Sequence, residues 1–299
     1  MNDLFGKNSR VASSGAVYSA TVCLYIVLSL IVSLIISGAG LAGDAPAYLG
    51  YICSPVAIAL ALFFAVAVLK IPVRDFVPKK CRPKYIVIAL LAIFGLLFAI
   101  SPLNTLFVNF LTELGYVPMR SSLPSLEGAG MVGAIIVVAV LPAVCEELLF
   151  RGAILRGAEE GAGTAAAVLL SAVLFMLYHG SVEQTIYQFI CGCVFALMAV
   201  RSASVLPSML AHFVNNAVII VFEGAHLLDD SGALMLPQWL NIMLTVLAAL
   251  SFAAALVLLF VDKKPRIRGS AAQVKAFLLW AAVGIFVMAL LWVLGLFSL

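Results

Sequence analysis

Glu146 and Glu147 stand side by side at the end of an almost unbroken apolar run from Met131 to Cys145, and Arg151 follows four residues after Glu147. Carboxylates in a segment that belongs in lipid cost several kcal/mol unless they are paired or face water. Three ionisable groups kept there point to use. Farther on, polar side chains recur in apolar surroundings at His179, Gln184, Gln188, His212, Asn215 and Asn216. A carboxylate in a desolvated cavity beside a neutral imidazole can take a proton from water. A second histidine and an asparagine amide can hydrogen-bond a tetrahedral oxyanion. That is equipment for hydrolysing an amide without a covalent intermediate, and no serine or cysteine sits in a recognisable nucleophile motif. Glu146, His179 and His212 could instead hold a zinc ion with water in the fourth position. The His-Glu-x-x-His motif of soluble zinc proteases is absent, and both versions stay open at this level.

Spacing divides the labour. Glu147 and Arg151 share a helix face and can pair along it, whereas Glu146 is turned by about 100° from that face. Glu146 is thus read as the reactive carboxylate, with Glu147 and Arg151 structural. Pro142, one turn earlier, should bend the helix and free a carbonyl. The turn expected at Gly161-Ala162-Gly163 lies about 16 residues after Glu146 and about 16 before His179, or about 24 Å from each at 1.5 Å per residue. An antiparallel pair of helices would put carboxylate and imidazole at the same height. His212 and Asn216 share the face of a third helix, with His212 roughly 12–15 Å from its start. Each element by itself reads as packing: a hydrogen-bonded core histidine, a structural ion pair, an asparagine binding neighbouring helices. Three of them on three helices at compatible depths read as a site.

These elements must be positioned by a membrane bundle. The 299 residues are 65% hydrophobic and 10% charged, against about a quarter charged in soluble proteins. A spanning helix needs roughly 20 apolar residues. Nine segments qualify, at about 16–37, 51–71, 85–103, 131–158, 163–180, 185–200, 204–222, 237–261 and 274–297. The expected fold is an all-α polytopic transmembrane bundle of about nine spans, or eight with a re-entrant segment. Residues 1–130 form N-terminal scaffold spans with an interfacial segment, 131–222 a catalytic four-helix core, and 223–299 C-terminal scaffold spans. With the N-terminus inside, all 17 basic residues except Arg120 fall on the inner side, as the positive-inside rule requires. The expected location is the cell membrane of a prokaryote, with the N-terminus cytoplasmic. The net charge of +3 then answers to anionic inner-leaflet lipid and not to nucleic acid. The longest non-spanning stretch, Asn104 to Gly130, carries an apolar segment at Leu106–Leu114 that suits a short interfacial helix before Pro118 and Pro124. The six cysteines form no disulfide framework and read as small apolar side chains.

Glu146-Glu147-x-x-x-Arg151, Phe175-x-x-x-His179 and His212-x-x-x-Asn216, in this order, resemble the CAAX-protease and bacteriocin-processing (CPBP, or Abi) family of intramembrane proteases. Gln188, Phe189 and Gly192 resemble its intervening motif. The resemblance covers about residues 130–220. It implies that Glu146 activates water with help from His179, and that His212 and Asn216 line the oxyanion site. Glu147 and Arg151 would organise the first helix of the core, and Gln188 would support the site from the intervening motif. Members are classed as metalloproteases, and a metal-free glutamate mechanism is argued for the branch acting on prenylated proteins. Family substrates range from prenylated CAAX proteins to bacteriocin or pheromone precursors. The expected function is therefore an intramembrane endopeptidase acting on a membrane-bound or amphipathic peptide or protein. A non-catalytic regulator of a membrane partner is the alternative. A proton-coupled transporter predicts repeat symmetry, and the confinement of the polar groups to 146–216 opposes it.

Overall fold

A computed structural model of the protein describes residues 9–118, 123–229, 232–262 and 267–297. Lys7, Arg120, Lys263, Lys264 and Arg266, which enter the topology expectation, lie outside them. Among the described residues nine helices follow one another: α1 Ser9–Ala39, α2 Ala45–Ala67, α3 Lys84–Glu113, α4 Ala129–Ala162, α5 Thr164–Tyr178, α6 Thr185–Ser202, α7 Leu206–Gly224, α8 Gln238–Val261 and α9 Ala271–Leu296. Eight are long and apolar enough to cross a membrane, while α5 has 15 residues. Besides these helices a short 3₁₀ turn at Val73–Asp75 and two isolated bridges occur among the described residues. Leu34, Phe63, Val261 and Leu279, each 70% or more exposed, lie on the outside of a chain whose exterior is built for lipid. The result is an integral, multi-pass helical bundle.

Two prolines shape the helices without ending them. Pro102 follows a π-turn at Leu96–Ile100, and Pro142 follows another at Ile135–Val140. A π-turn shifts hydrogen bonding by one residue, so the missing proline N–H falls where the regular ladder is already interrupted. This overturns one expectation. Leu106–Leu114 forms no separate interfacial helix, because the π-turn carries α3 straight past Pro102 to Glu113. The turn between α4 and α5 is also tighter than Gly161-Ala162-Gly163, since α4 runs to Ala162. Gly163 alone reverses the chain at φ +85°, where a Cβ would lie 2.6 Å from the Gly269 amide nitrogen.

Helices α4–α7 occupy the middle. α7 packs against α3, α4 and α6, α5 packs on α4 and α6, and α1 packs along α2 and α9. The bundle end that receives the sequence's basic residues is tied by polar contacts. Arg10 pairs with Asp75 and, at 2.7 Å, with Glu160. Lys84 pairs with Asp262 at 2.8 Å, and the Tyr85 hydroxyl bonds both Asp262 and, at 2.6 Å, the Arg201 carbonyl. On the other side the Tyr116 hydroxyl donates to Glu183 at 2.9 Å, which joins the segment after α3 to the α5–α6 loop.

Candidate active site

α4 delivers its charged residues through another irregular stretch. Glu147 ends a regular segment and Arg151 lies in a π-turn over Leu148–Ile154. Both side chains are fully buried. Arg151 Nη1 donates to Glu147 Oε1 at 2.9 Å, and Nη2 donates to the Gly192 carbonyl of α6 at 3.3 Å. The guanidinium lies 4.3 Å from the Phe175 ring centroid and 5.3 Å from that of Phe195. A weakly hydrated planar cation suits an aromatic cage with one carboxylate partner. Gly192 lets α6 pack closely on α5, because a Cβ there would lie 2.8 Å from the Ala172 Cα of α5.

Glu146 is 7% exposed, and its Oε2 is buried without a hydrogen-bond partner. His212 Nε2 lies 4.0 Å from this oxygen. His212, on α7, is itself buried, with Nδ1 3.1 Å from Glu147 Oε1 and its ring set edge-on to Phe175 at 5.8 Å. His179 caps the end of α5, its Nδ1 2.8 Å from the Phe175 carbonyl and its ring against the Phe175 ring at 4.7 Å. Phe175 therefore touches Arg151, His179 and His212 at once. Glu146 lies within electrostatic reach of His179, with no hydrogen bond or ion pair joining them. Beyond His179 a cavity of about 390 Å³ opens between α1, the end of α5 and α9, lined among others by Tyr25, Tyr178, Met288 and Leu291.

Asn216 occupies a polar relay beside this centre. The Tyr187 hydroxyl donates to Asn215 Oδ1 at 2.5 Å, Asn215 Nδ2 donates to Asn216 Oδ1 at 3.0 Å, and Asn216 Nδ2 donates to the Val138 carbonyl at 2.9 Å. Val138 is four residues before Pro142, so this is the carbonyl that the proline leaves without its helical N–H. Gln188 stands apart: its amide donates to Gln184 Oε1 at 3.0 Å and touches neither the carboxylates nor the histidines. Tyr187 and Phe195 were not singled out in the sequence. The only signal for Tyr187 was its hydroxyl in an apolar helix, and Phe195 had none, since its role is purely to pack on Arg151 and His212.

Glu146, His179 and His212 are the donors a zinc ion would need. With Nδ1 bonded, His179 and His212 each keep Nε2 available, which is suitable chemistry for a ligand. Among the described residues, however, no group of three His, Cys, Asp or Glu lies at metal-ligand spacing. The residues as placed do not fit a three-ligand zinc site.

Comparison with known proteins adds one match. Residues 128–218, from the start of α4 into α7, match the family model described as "Type II CAAX prenyl endopeptidase Rce1-like". No curated protein and no solved structure matches the chain. The matched segment holds Glu146, Glu147, Arg151, His179, Gln188, His212 and Asn216 in the order that resembles the CAAX-protease family. By this match the segment that carries the buried polar groups is similar to the Rce1-like type II CAAX prenyl endopeptidases.

Proposed function

We propose that the protein is an intramembrane endopeptidase in which Glu146 activates water for attack on a peptide bond of a membrane-bound or amphipathic substrate. The observation that carries this reading is the contrast within α4: Glu147 Oε1 is held by both Arg151 and His212, which leaves only its Oε2 without a partner, while Glu146 is bonded by neither and its buried Oε2 faces His212. A buried acceptor kept free costs about 1–3 kcal/mol, and a general base needs such an oxygen. A water between Glu146 and His179 would lose its proton to Glu146. The hydroxide adds to the carbonyl carbon, and His212 with Asn216 borders the developing oxyanion. His179 opens on the cavity toward α1 and α9, which gives an apolar substrate segment a route from the lipid. The end bearing Arg10, Lys84 and Arg201 would face the cytoplasm of a prokaryotic cell.

The test is peptide cleavage by the purified protein in detergent or proteoliposomes. Glu146→Gln removes the base and keeps the shape, so cleavage should fall about 100- to 10,000-fold with the melting temperature preserved. Undiminished cleavage by this variant rejects the reading.

A further inference from the structure

The Glu147–His212 contact settles which nitrogen of His212 carries the proton. Glu147 Oε1 accepts from Arg151 Nη1 at 2.9 Å and lies 3.1 Å from His212 Nδ1. A carboxylate paired with a guanidinium accepts hydrogen bonds and has none to give, so the proton of this second bond sits on Nδ1. A neutral imidazole has one N–H, and Nε2 is then a lone pair. That lone pair stands 4.0 Å from Glu146 Oε2, which is buried without a hydrogen-bond partner. His179 is set in the same tautomer by another partner that only accepts, the Phe175 carbonyl. Phe175 and Phe195 pack on the His212 ring and oppose its rotation.

We infer that Glu147 is a positioning residue for the reaction, one that locks His212 in the Nδ1–H tautomer and presents its Nε2 lone pair to Glu146. Its pairing with Arg151 keeps it a carboxylate for that purpose. The inference rests on the endopeptidase reading for its consequence. When Glu146 has taken a proton from water and the hydroxide has added to the carbonyl carbon, the proton can pass from Glu146 Oε2 to His212 Nε2. The new Nε2–H donates to the oxyanion. As the C–N bond breaks, it delivers the proton to the leaving nitrogen, which gives an acid and an amine with no other reagent. In the wrong tautomer Nε2 already bears a hydrogen and cannot accept.

The experiment combines ¹⁵N-histidine NMR with kinetics. The chain has 3 histidines, and a His226→Gln background leaves two to assign. The wild type should show His212 with protonated Nδ1 and bare Nε2. Glu147→Gln alone strands a buried guanidinium, so the informative variant is Glu147→Gln/Arg151→Met, which removes both charges. It should show mixed His212 tautomers and a kcat about 10- to 100-fold lower, the usual cost of losing a partner that orients a histidine, with KM unchanged. A wild-type His212 bearing hydrogen on Nε2, or a double variant with wild-type kcat, overturns the inference. The wild-type spectrum decides even where the double variant does not fold. A wild type that cleaves nothing rejects the endopeptidase reading, while the spectrum still decides whether Glu147 sets the tautomer.

Discussion

Two clusters of similar composition sit in opposite physical surroundings. In the core, Arg151, Glu147 and His212 are buried, and the Arg151 guanidinium meets one carboxylate, one carbonyl and three rings. At the bundle end, Lys84, Asp262 and Tyr85 form a comparable trio in which the Lys84 side chain is 45% exposed. Water compensates any loss at the bundle end and none in the core. A buried ion pair stabilises little relative to an apolar replacement but is costly to break from one side, whereas an exposed pair is worth about 0–1 kcal/mol. The core cluster therefore constrains geometry more than it adds stability. That suits a role in holding Glu147 and His212 in register beside Glu146.

The comparison can be broken most forcefully at Arg151. Arg151→Met leaves Glu147 as a buried carboxylate without its cation and should cost about 3–5 kcal/mol, seen as a large fall in melting temperature in detergent. Glu147→Gln/Arg151→Met should recover most of that loss, and equal destabilisation of the two variants would contradict the picture. Next in size is the support beneath the cluster. Gly192→Ala brings a Cβ to 2.8 Å from the Ala172 Cα, and overpacking of this kind costs about 1–3 kcal/mol. It should also reduce cleavage, because the Gly192 carbonyl holds Arg151. The smallest effect belongs to the bundle end, where Lys84→Met should change stability by less than about 1 kcal/mol and less still at high salt.

The bundle-end cluster should also reveal itself by pH. Hydrogen bonds from Lys84 and Tyr85 hold the Asp262 carboxyl below its ordinary value. A depressed acid stabilises the fold above its unfolded pKa, near 4, and loses that contribution as pH falls through the lowered value. The gap between wild type and Lys84→Met should therefore be constant near neutrality and close below about pH 4, measured as melting temperature against pH. A gap that widens on acidification would contradict the assignment.

Most of the fold was legible because hydrophobic length is a local property, and nine expected spans became nine helices, with α5 short. The chain past Pro102 was not legible, since proline reads as a breaker unless the preceding turn has already shifted its hydrogen bonds. Within the candidate site, residues on one helix were placed well. Glu147 meets Arg151, and Phe175 meets His179, at spacings of four that the 3.6-residue turn dictates. The freed carbonyl ahead of Pro142 was also foreseeable from the ring alone.

What joined the helices was not foreseeable. The spacing rule paired Glu147 with Arg151, while the contact between Glu147 and His212 joins residues 65 apart in the chain. The same holds for Asn216 on the Val138 carbonyl and Tyr187 on Asn215. The amino-acid sequence by itself determined which side chains lie in lipid-buried helices and which of them share a face, because both follow from composition and helical period. Only the tertiary structure decided that His212 would join Glu147 and turn its other nitrogen toward Glu146. That choice depends on how α7 is rotated against α4, and the packing of Phe175, Phe195 and Gly192 sets the rotation with no periodic trace in the sequence.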